Sequence, residues 1–371
     1  MEYFLIVFIF FMFAAWHSYS FVNFSEKEFQ ENQSFVNIYF LLVFLIALGC
    51  GLRGDNEYSR FFNYTLTLGD FFSSQNIAEI IRGPVFALIM SSLKTIGLSS
   101  QSLLILFAFT SIFIHAIYYR KYTEYYFLAF LIYLGHEIIF KEFATIRAGL
   151  ASALVLPIIY YIQSNQKLKY WSLILIGGLI QYVGFLSVFL IHLNRRFDPR
   201  LLIFILFASV LIYFIDAASI VLNGLASAGL LPSIVSSYLS YDLYVYDAGL
   251  GNFKLIQQVI VILSLMFAAS KTNIEKHLPH YNLLFNAYFL STIMLIVFAP
   301  LALFAFRFGG HFYSVEPILI AYFIYNFSSY RPISVLACVG ALGLAFLNYV
   351  LLQKLESYIF LVDDYRIFLG Y

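Results

Sequence analysis

Apolar residues occur along this chain in long runs that are separated by short segments rich in charge, glycine or proline. The runs fall near 3–21, 36–52, 101–119, 125–140, 144–162, 170–193, 201–217, 252–270, 283–305, 308–327 and 332–352. Most of them match the roughly 20 residues that an α-helix needs to cross a bilayer. The pattern predicts an all-α, polytopic transmembrane bundle of about 11–12 helices. It also predicts a single integral membrane domain over residues 1–371.

Two segments do not fit a simple sequence of crossings. Residues 79–98 are too polar for an ordinary span, which favours a helix that lies on the membrane or enters and leaves it on one side. Residues 168–193 contain Gly177, Gly178, Gln181 and Gly184, which favour two half-helices over one continuous helix. The predicted bundle therefore contains re-entrant or broken helices, with loops at its outer face.

Composition agrees with a membrane protein and limits the function classes. Of the 371 residues 62% are hydrophobic and only 11% are charged, whereas about a quarter would be charged in a soluble protein. The net charge of +1 argues against nucleic acid as a partner, and two cysteines in apolar runs suggest neither a disulfide framework nor a metal cluster. Residues 1–21 lack a basic start and a cleavage pattern, so we expect a membrane helix rather than a signal peptide.

Basic residues in short loops predict the topology. The tight basic connections are Arg120 with Lys121, Lys167 with Lys169, Arg195 with Arg196 and Arg200, and Lys271 with Lys276. All of them are cytoplasmic if 168–193 is a hairpin of two short helices and 79–98 is re-entrant. Both termini then lie outside. The residues that this topology places together on the outer face are Arg53, Asp55, Glu142, Arg147, Gln181 and Arg307.

The densest charge cluster follows the second apolar run. Arg53, Asp55, Glu57 and Arg60 fall within eight residues, and the planar donor fork of arginine matches a phosphate group. Asp55 could serve as a base or orient the arginine. The alternative is a helix end whose arginine extends into the headgroups and forms a surface ion pair.

Two further segments place arginine beside apolar runs. Arg147 follows Lys141 and Glu142 and enters the first turn of a membrane helix, where an ionisable residue is costly and marks a functional candidate. Arg307 stands between two apolar runs, next to Gly309, Gly310 and His311, so we expect a tight turn with a second phosphate clamp. The alternative for each is an arginine at the interface, paired with Glu142 or with lipid headgroups.

These motifs carry a family resemblance. The chain resembles the EpsG/Wzy-type exopolysaccharide and O-antigen polymerases of bacteria. The match lies in Arg53, Asp55 and Tyr58 after the second helix, in Ile146, Arg147, Leu150 and Ala151 at a helix entry, and in Arg307 with Phe312 and Tyr313. Family members commonly carry histidine in the broken helix, where this chain has Gln181.

The resemblance implies a metal-independent glycosyltransferase without a cofactor, which joins polyprenyl diphosphate-linked repeat units into a surface polysaccharide. Donor and acceptor would both be glycans linked to undecaprenyl diphosphate. The enzyme would lie in the bacterial inner membrane, among membrane lipids, with its active site facing the periplasm, and a chain-length regulator could be a further partner. The implied catalytic residues are Arg53, Asp55, Glu142 and Arg147, and the implied substrate-binding residues are Tyr58, Gln181, Arg307, His311 and Tyr313.

Two other functions remain open at this point. A glycan ligase would transfer the finished chain to another acceptor, and we expect it to have a larger outer loop. A flippase or transporter of lipid-linked sugar would need charged residues along a path between the two faces. Charges away from the outer face are scarce in the sequence, with Glu316 the main candidate. We therefore rank transport third, after the polymerase and the ligase.

Overall fold

We describe the chain from a computed structural model. It describes residues 2–21, 33–52, 67, 83–138, 141–142, 145–229, 239, 247–271, 280–326, 339–341 and 343. The long regular elements in these ranges are helices, which confirms the predicted all-α class.

The α-helices of the described ranges vary in length from 8 to 23 residues. The first eight in chain order are α1 (Glu2–Phe21), α2 (Gln33–Gly51), α3 (Pro84–Thr95), α4 (Ser100–Tyr122), α5 (Tyr126–His136), α6 (Ile146–Ala153), α7 (Val155–Gln163) and α8 (Lys167–Ile180). A 3-10 helix, Tyr182–His192, follows α8. The rest are α9 (Pro199–Phe214), α10 (Ala217–Ser227), α11 (Phe253–Lys271), α12 (Tyr281–Val297), α13 (Ala302–Phe312) and α14 (Glu316–Asn326).

Three of these helical segments are long and apolar enough to cross a membrane by themselves. They are α2, α4 and Ile146–Gln163, which comprises α6 and α7. The pair α9 and α10 also passes the test together but is bent by 59°. Pro157 explains the interruption between α6 and α7, because proline has no N–H to donate to the carbonyl of Ala153. The chain is therefore a membrane protein of several apolar helices.

Basic loops gather at one end of the bundle. Lys121 lies over the rings of Tyr118 and Tyr160, 4.7 and 4.8 Å from their centroids, and Lys169 lies over Tyr161 at 5.1 Å. The Gln163 side chain donates to Asn194, next to Arg195, at 3.3 Å. These loops therefore gather at one end, which we call the basic end, as the sequence predicts.

Helix α3 makes no net crossing. The Tyr39 hydroxyl donates to the Ala116 carbonyl at 3.1 Å, and the Gln101 amide donates to the Gly51 carbonyl, so α2 and α4 run antiparallel. Residues 52–99 therefore begin and end at the same end of the bundle, opposite the basic end. With 12 residues α3 is about 18 Å long, less than the roughly 30 Å hydrocarbon core. Residues 83–98, the described part of 79–98, therefore support the expectation of a re-entrant segment.

The predicted broken helix is present. Helix α8 ends at Ile180, Gln181 is extended, and the 3-10 helix runs back along α8 to His192. A Cβ at Gly184 would collide with the backbone of Gly177, so glycine is required where the two halves pack together. At about 1.5 and 2.0 Å per residue, the halves are about 21 and 22 Å long. The hairpin therefore turns about two-thirds of a hydrocarbon thickness from the basic end.

The expected turn at Arg307 is wrong. Arg307 lies inside α13, and the chain turns instead between α12 and α13, at residues 298–301 next to Pro300. A second interruption, the 3-10 turn Tyr313–Val315, separates α13 from α14. Pro317 accounts for it, because its ring would clash with the carbonyl of Tyr313 in a continuous helix.

Gly309 and Gly310 offer a matched test of this packing. A Cβ at Gly309 would lie 2.7 Å from Leu295 Cγ and 3.0 Å from the Ser291 carbonyl oxygen, whereas a Cβ at Gly310 would meet nothing within 4 Å. We expect Gly309→Ala to lower the free energy of unfolding by about 1–3 kcal/mol. Gly310→Ala should raise it by up to about 1 kcal/mol through helix propensity. Thermal unfolding of both variants in detergent checks this, and equal effects would contradict the α12–α13 contact.

Candidate functional site

Ionisable side chains are buried where α5 ends. Glu142 is 0%, Glu137 2% and Lys141 8% exposed. Glu137 and Lys141 form an ion pair four residues apart, and Lys141 Nζ also donates to Ser152 Oγ on α6 at 2.7 Å. A Cβ at Gly149 would lie 2.6 Å from the Lys141 carbonyl oxygen, so this glycine lets the interrupted chain pack directly on α6.

Glu142 lies about halfway along the bundle rather than at its outer face. Its Oε1 accepts hydrogen bonds from Ser111 Oγ at 2.6 Å and from the Tyr133 hydroxyl at 2.8 Å. Ser111 is the central residue of α4, about 17 Å from either end of that helix. The prediction that Glu142 lies at the outer surface is therefore wrong. Buried charges are also more numerous than the expected Glu316 alone, since Glu137, Lys141 and Glu142 are buried as well.

A second buried network surrounds Glu316. Its Oε1 accepts from Gln257 Nε2 at 3.0 Å and from the Tyr313 hydroxyl at 2.9 Å, and its Oε2 accepts from the Tyr288 hydroxyl at 2.7 Å. His136 Nδ1 lies 3.1 Å from Glu316 Oε1, and Lys254 Nζ lies 2.9 Å from His136 Nε2. We call these residues the histidine–glutamate cluster; its members are His136, Lys254, Gln257, Tyr288, Tyr313 and Glu316.

The contacts of His136 assign its ring proton. A charged lysine can only donate, so Nε2 accepts from Lys254 and the neutral ring carries its proton on Nδ1. Nδ1–H then points toward Glu316 Oε1. The Tyr313 hydroxyl lies beside the ring edge, 2.7 Å from Nδ1 and 3.0 Å from Nε2, and donates to Glu316 Oε1. The carboxylate therefore orients the imidazole, as an acid orients a catalytic histidine in other enzymes.

Local sequence explains how these side chains meet. Helix α5 has 11 residues, so it ends about 16 Å from its start and leaves His136 deep in the bundle. Asn252 caps α11 by accepting from the Lys254 backbone N–H at 2.9 Å, which places Lys254 in the first turn. A cation in the first turn is destabilised by the positive end of the helix dipole. A lysine that is kept there at a cost in stability is consistent with a functional role for Lys254.

A third group of residues lies at the tips of three short helices. Arg147, the second residue of α6, holds its guanidinium carbon 5.0 Å from the Phe86 ring centroid on α3. The residue before α3 is Gly83, where a Cβ would lie 2.5 Å from the Ile180 carbonyl oxygen at the tip of the hairpin. The N-terminal ends of α3 and α6, Arg147 and Gln181 therefore converge; we call this the helix-tip site.

His311 connects α13 to the hairpin. It is 3% exposed, and its Nε2 lies 2.7 Å from Ser187 Oγ on the 3-10 helix. Arg307 is half-buried and lies one helical turn before His311, nearer the end opposite the basic end. His311 thus anchors α13 against the hairpin.

Comparison with known proteins identifies the family. The EpsG family model matches residues 35–362. The chain belongs to the EpsG family. It is also 25% identical over 301 residues to the amylovoran biosynthesis protein AmsC of Erwinia amylovora, a match that covers 77% of this chain and 79% of the relative. No solved structure matches it significantly.

The structure brings some of the residues predicted from the EpsG resemblance together and separates others. Arg147 and Gln181 share the helix-tip site, whereas Glu142 and Tyr313 belong to the two buried networks. Arg53, Asp55 and Tyr58 lie outside the described residues. The sequence patterns did not indicate His136 and Lys254 as site residues. The signals that could have found them are a histidine within an apolar run and a lysine at the start of one.

Proposed function

We propose that this EpsG family protein joins polyprenyl diphosphate-linked repeat units into a bacterial surface polysaccharide. The observation that carries the proposal is the helix-tip site. Two helix N-termini and an arginine converge there, and each favours a negatively charged ligand. Interrupted helices inside a membrane are tolerated where they line a ligand cavity, and they are common at substrate sites. The amylovoran biosynthesis relative supports a polysaccharide product.

The helix-tip site suits the diphosphate of the glycan donor. Departure of a diphosphate develops negative charge, which fixed donors stabilise in a low-dielectric site. Arg147 would be the principal donor, with Arg53 and Arg307 as further clamps and Gln181 as a hydrogen-bonding partner. Tyr58, His311 and Tyr313 are proposed contacts of the lipid-linked sugars. Because arginine can supply this stabilisation, we propose a reaction that continues in the presence of EDTA.

A carboxylate is the simplest candidate for activating the acceptor hydroxyl. Asp55 and Glu142 are the candidates that the sequence indicates. The Oε1 of Glu142 already accepts two hydrogen bonds, from Ser111 and Tyr133, and such bonds stabilise its charged form. This environment favours Glu142 as a residue that holds the interrupted segment in place, which leaves Asp55 as the carboxylate candidate that the sequence indicates.

We propose that the basic end is cytoplasmic, following the positive-inside rule. Gly51 lies at the opposite end, so the residues after it would face the outside of the inner membrane. A cysteine at Asn56 should then react with a membrane-impermeant maleimide in intact spheroplasts, whereas a cysteine at Asn165 in the basic end should react only after lysis. The reverse pattern would overturn the orientation.

Transport of a lipid-linked sugar is less well supported. The buried networks remove the objection that inner charges are scarce. Toward the basic end, however, Tyr39, Tyr119 and Phe130 are fully buried and pack edge to face. A transported sugar would have to displace these rings. A ligase remains the second candidate, because it would use the same diphosphate leaving group.

The glycan length profile of a deletion strain tests the function. Loss of a polymerase should leave single repeat units, and restoring the gene should restore long chains. Loss of a ligase would instead leave the finished glycan unattached, and loss of a flippase would leave repeat units on the cytoplasmic side. Long chains of normal length in the deletion strain would refute the proposal.

A further inference from the structure

One side of the histidine–glutamate cluster is less deeply buried than the other. The His136 side chain is 10% exposed while that of Glu316 is 0% exposed, and Lys254 and Gln257 are half-buried. The cluster thus has a buried base of Glu316, Tyr288 and Tyr313 beneath a partly exposed layer of His136, Lys254 and Gln257, which we call the accessible layer. A polar molecule that reaches this layer meets both donors and acceptors.

Gln257 adds an observation that points to a ligand. Its Nε2 donates to Glu316, so the amide oxygen faces away from the carboxylate. That oxygen is buried and has no hydrogen-bond partner among the described residues. A buried polar atom without a partner costs free energy, and a bound hydroxyl would supply the missing donor.

The proton arrangement at His136 suits a base. Glu316 holds Nδ1–H, which leaves the Nε2 lone pair facing Lys254. The lysine has a flexible stem, so its ammonium can turn aside when a hydroxyl approaches Nε2. A carboxylate behind the ring then stabilises the imidazolium that forms. Lys141, 6.0 Å from the Tyr313 ring centroid, and Glu137 are the other nearby charges.

We propose that His136, Lys254 and Gln257 form the acceptor subsite of the enzyme, with His136 as the catalytic base and Glu316 as the residue that positions it. The ligand is the hydroxyl-bearing sugar at the growing end of a lipid-linked glycan. This inference rests on the proposed polymerase function. It replaces Asp55 and Glu142 in the role of base and leaves the donor diphosphate at the helix-tip site.

The step balances as a group transfer. His136 Nε2 takes the proton of the acceptor hydroxyl, and the oxygen forms a bond to the anomeric carbon of the donor. The bond from that carbon to the diphosphate oxygen breaks, and its electron pair leaves with the diphosphate. Arg147 at the helix-tip site would bind the charge of the diphosphate, and the imidazolium returns its proton to water.

The test uses purified protein in nanodiscs and the single lipid-linked repeat unit isolated from a strain that lacks this chain. His136→Ala should lower kcat by about 10²–10⁴-fold, the range for a general base, with little change in KM. Added imidazoles should restore the rate in order of their basicity. Undecaprenyl diphosphate alone should raise the thermal stability of the variant as much as that of the wild type.

His17 supplies a matched control, because it is a fully buried histidine on α1, away from the cluster. His17→Ala should show no rate restoration that follows imidazole basicity. If His136→Ala does not fold, the closer isostere His136→Gln carries the same kcat test.

Gln257→Leu should raise KM by about tenfold and spare kcat, since it removes one hydroxyl contact. Glu316→Gln should lower kcat and gain nothing from added imidazole.

Wild-type kcat in both His136 variants, with polymer still formed by the wild-type protein, would overturn the acceptor subsite and leave the proposed function intact. Rate restoration independent of imidazole basicity would also overturn it, because it would indicate that the added ring only fills a cavity. Absence of polymer from the wild-type protein, together with long chains in the deletion strain, would instead refute the proposed function.

Discussion

Arg147→Ala is expected to stop chain growth and leave single repeat units on the lipid. Arg147 lies at the helix-tip site, where the N-termini of α3 and α6 converge next to Gln181. Removing one preorganised donor from a developing oxyanion typically lowers kcat by about 10²–10³-fold. The glycan ladder of a deletion strain that expresses the variant measures the effect. Arg147→Lys should give an intermediate ladder, since it keeps the charge but loses the planar fork.

Arg195 provides the control for this experiment. Its guanidinium carbon lies 4.7 Å from the Phe197 ring centroid, so it stacks on an aromatic ring as Arg147 does, but at the basic end. Arg195→Ala should leave the ladder unchanged. Both variants must be present in the membrane fraction in equal amounts, so that a shorter ladder reflects lost activity and not lost protein. A full-length ladder from Arg147→Ala would remove the helix-tip site from the mechanism.

The hairpin could be predicted from the sequence because its signal is local. Gly177, Gly178 and Gly184 interrupt an apolar run with residues that pack closely, and Gln181 adds a polar residue that a continuous membrane helix would expose to lipid. The structure uses these positions as the prediction requires: Gln181 is extended at the tip, and Gly184 packs on Gly177. The re-entrant α3 was predictable for the same reason, from polar residues beside Gly83 and Pro84.

The histidine–glutamate cluster could not be predicted because its members are far apart along the chain. His136 lies 180 residues from Glu316 and 118 from Lys254. Lys254 and Glu316 are each the only charged residue of an apolar neighbourhood, and His136 stands beside Glu137 where an apolar run ends. Hydropathy alone treats such residues as helix ends. Only the packing of α5, α11 and α14 brings the three together. Glu142 could not be placed from the sequence for the same reason. The topology derived from the basic loops puts it at the outer surface, whereas its hydrogen bond with Ser111 puts it halfway along the bundle.

The misplaced turn at Arg307 has a different cause. Pro300 stands within an apolar run of small and large hydrophobic residues, and the hydropathy there does not fall at the turn. Arg307 with two following glycines resembles a turn more strongly. In the structure Gly309 instead allows α13 to approach Leu295 on α12. Glycine thus marked close helix packing rather than a chain reversal.

Glu137→Leu is expected to lower the free energy of unfolding by about 3–5 kcal/mol, the cost of removing one partner from a buried ion pair. The side chains of Lys141 and Glu137 are 10% and 1% exposed, and the variant would leave the Lys141 ammonium with the Ser152 hydroxyl as its hydrogen-bond partner on α6. Unfolding in mixed detergent micelles measures the change. Lys121→Met, which removes an exposed lysine from the rings at the basic end, should change stability by less than about 1 kcal/mol.

The double variant Glu137→Leu with Lys141→Met should recover most of the lost stability, because a well-packed apolar pair often replaces a buried ion pair without net cost. We expect chain growth to return with it, since neither side chain reaches the accessible layer of the histidine–glutamate cluster. The pair would then act only to hold the interruption between α5 and α6 in shape. A double variant that folds stably but makes no polymer would instead place Lys141 in the mechanism, through its position over the Tyr313 ring.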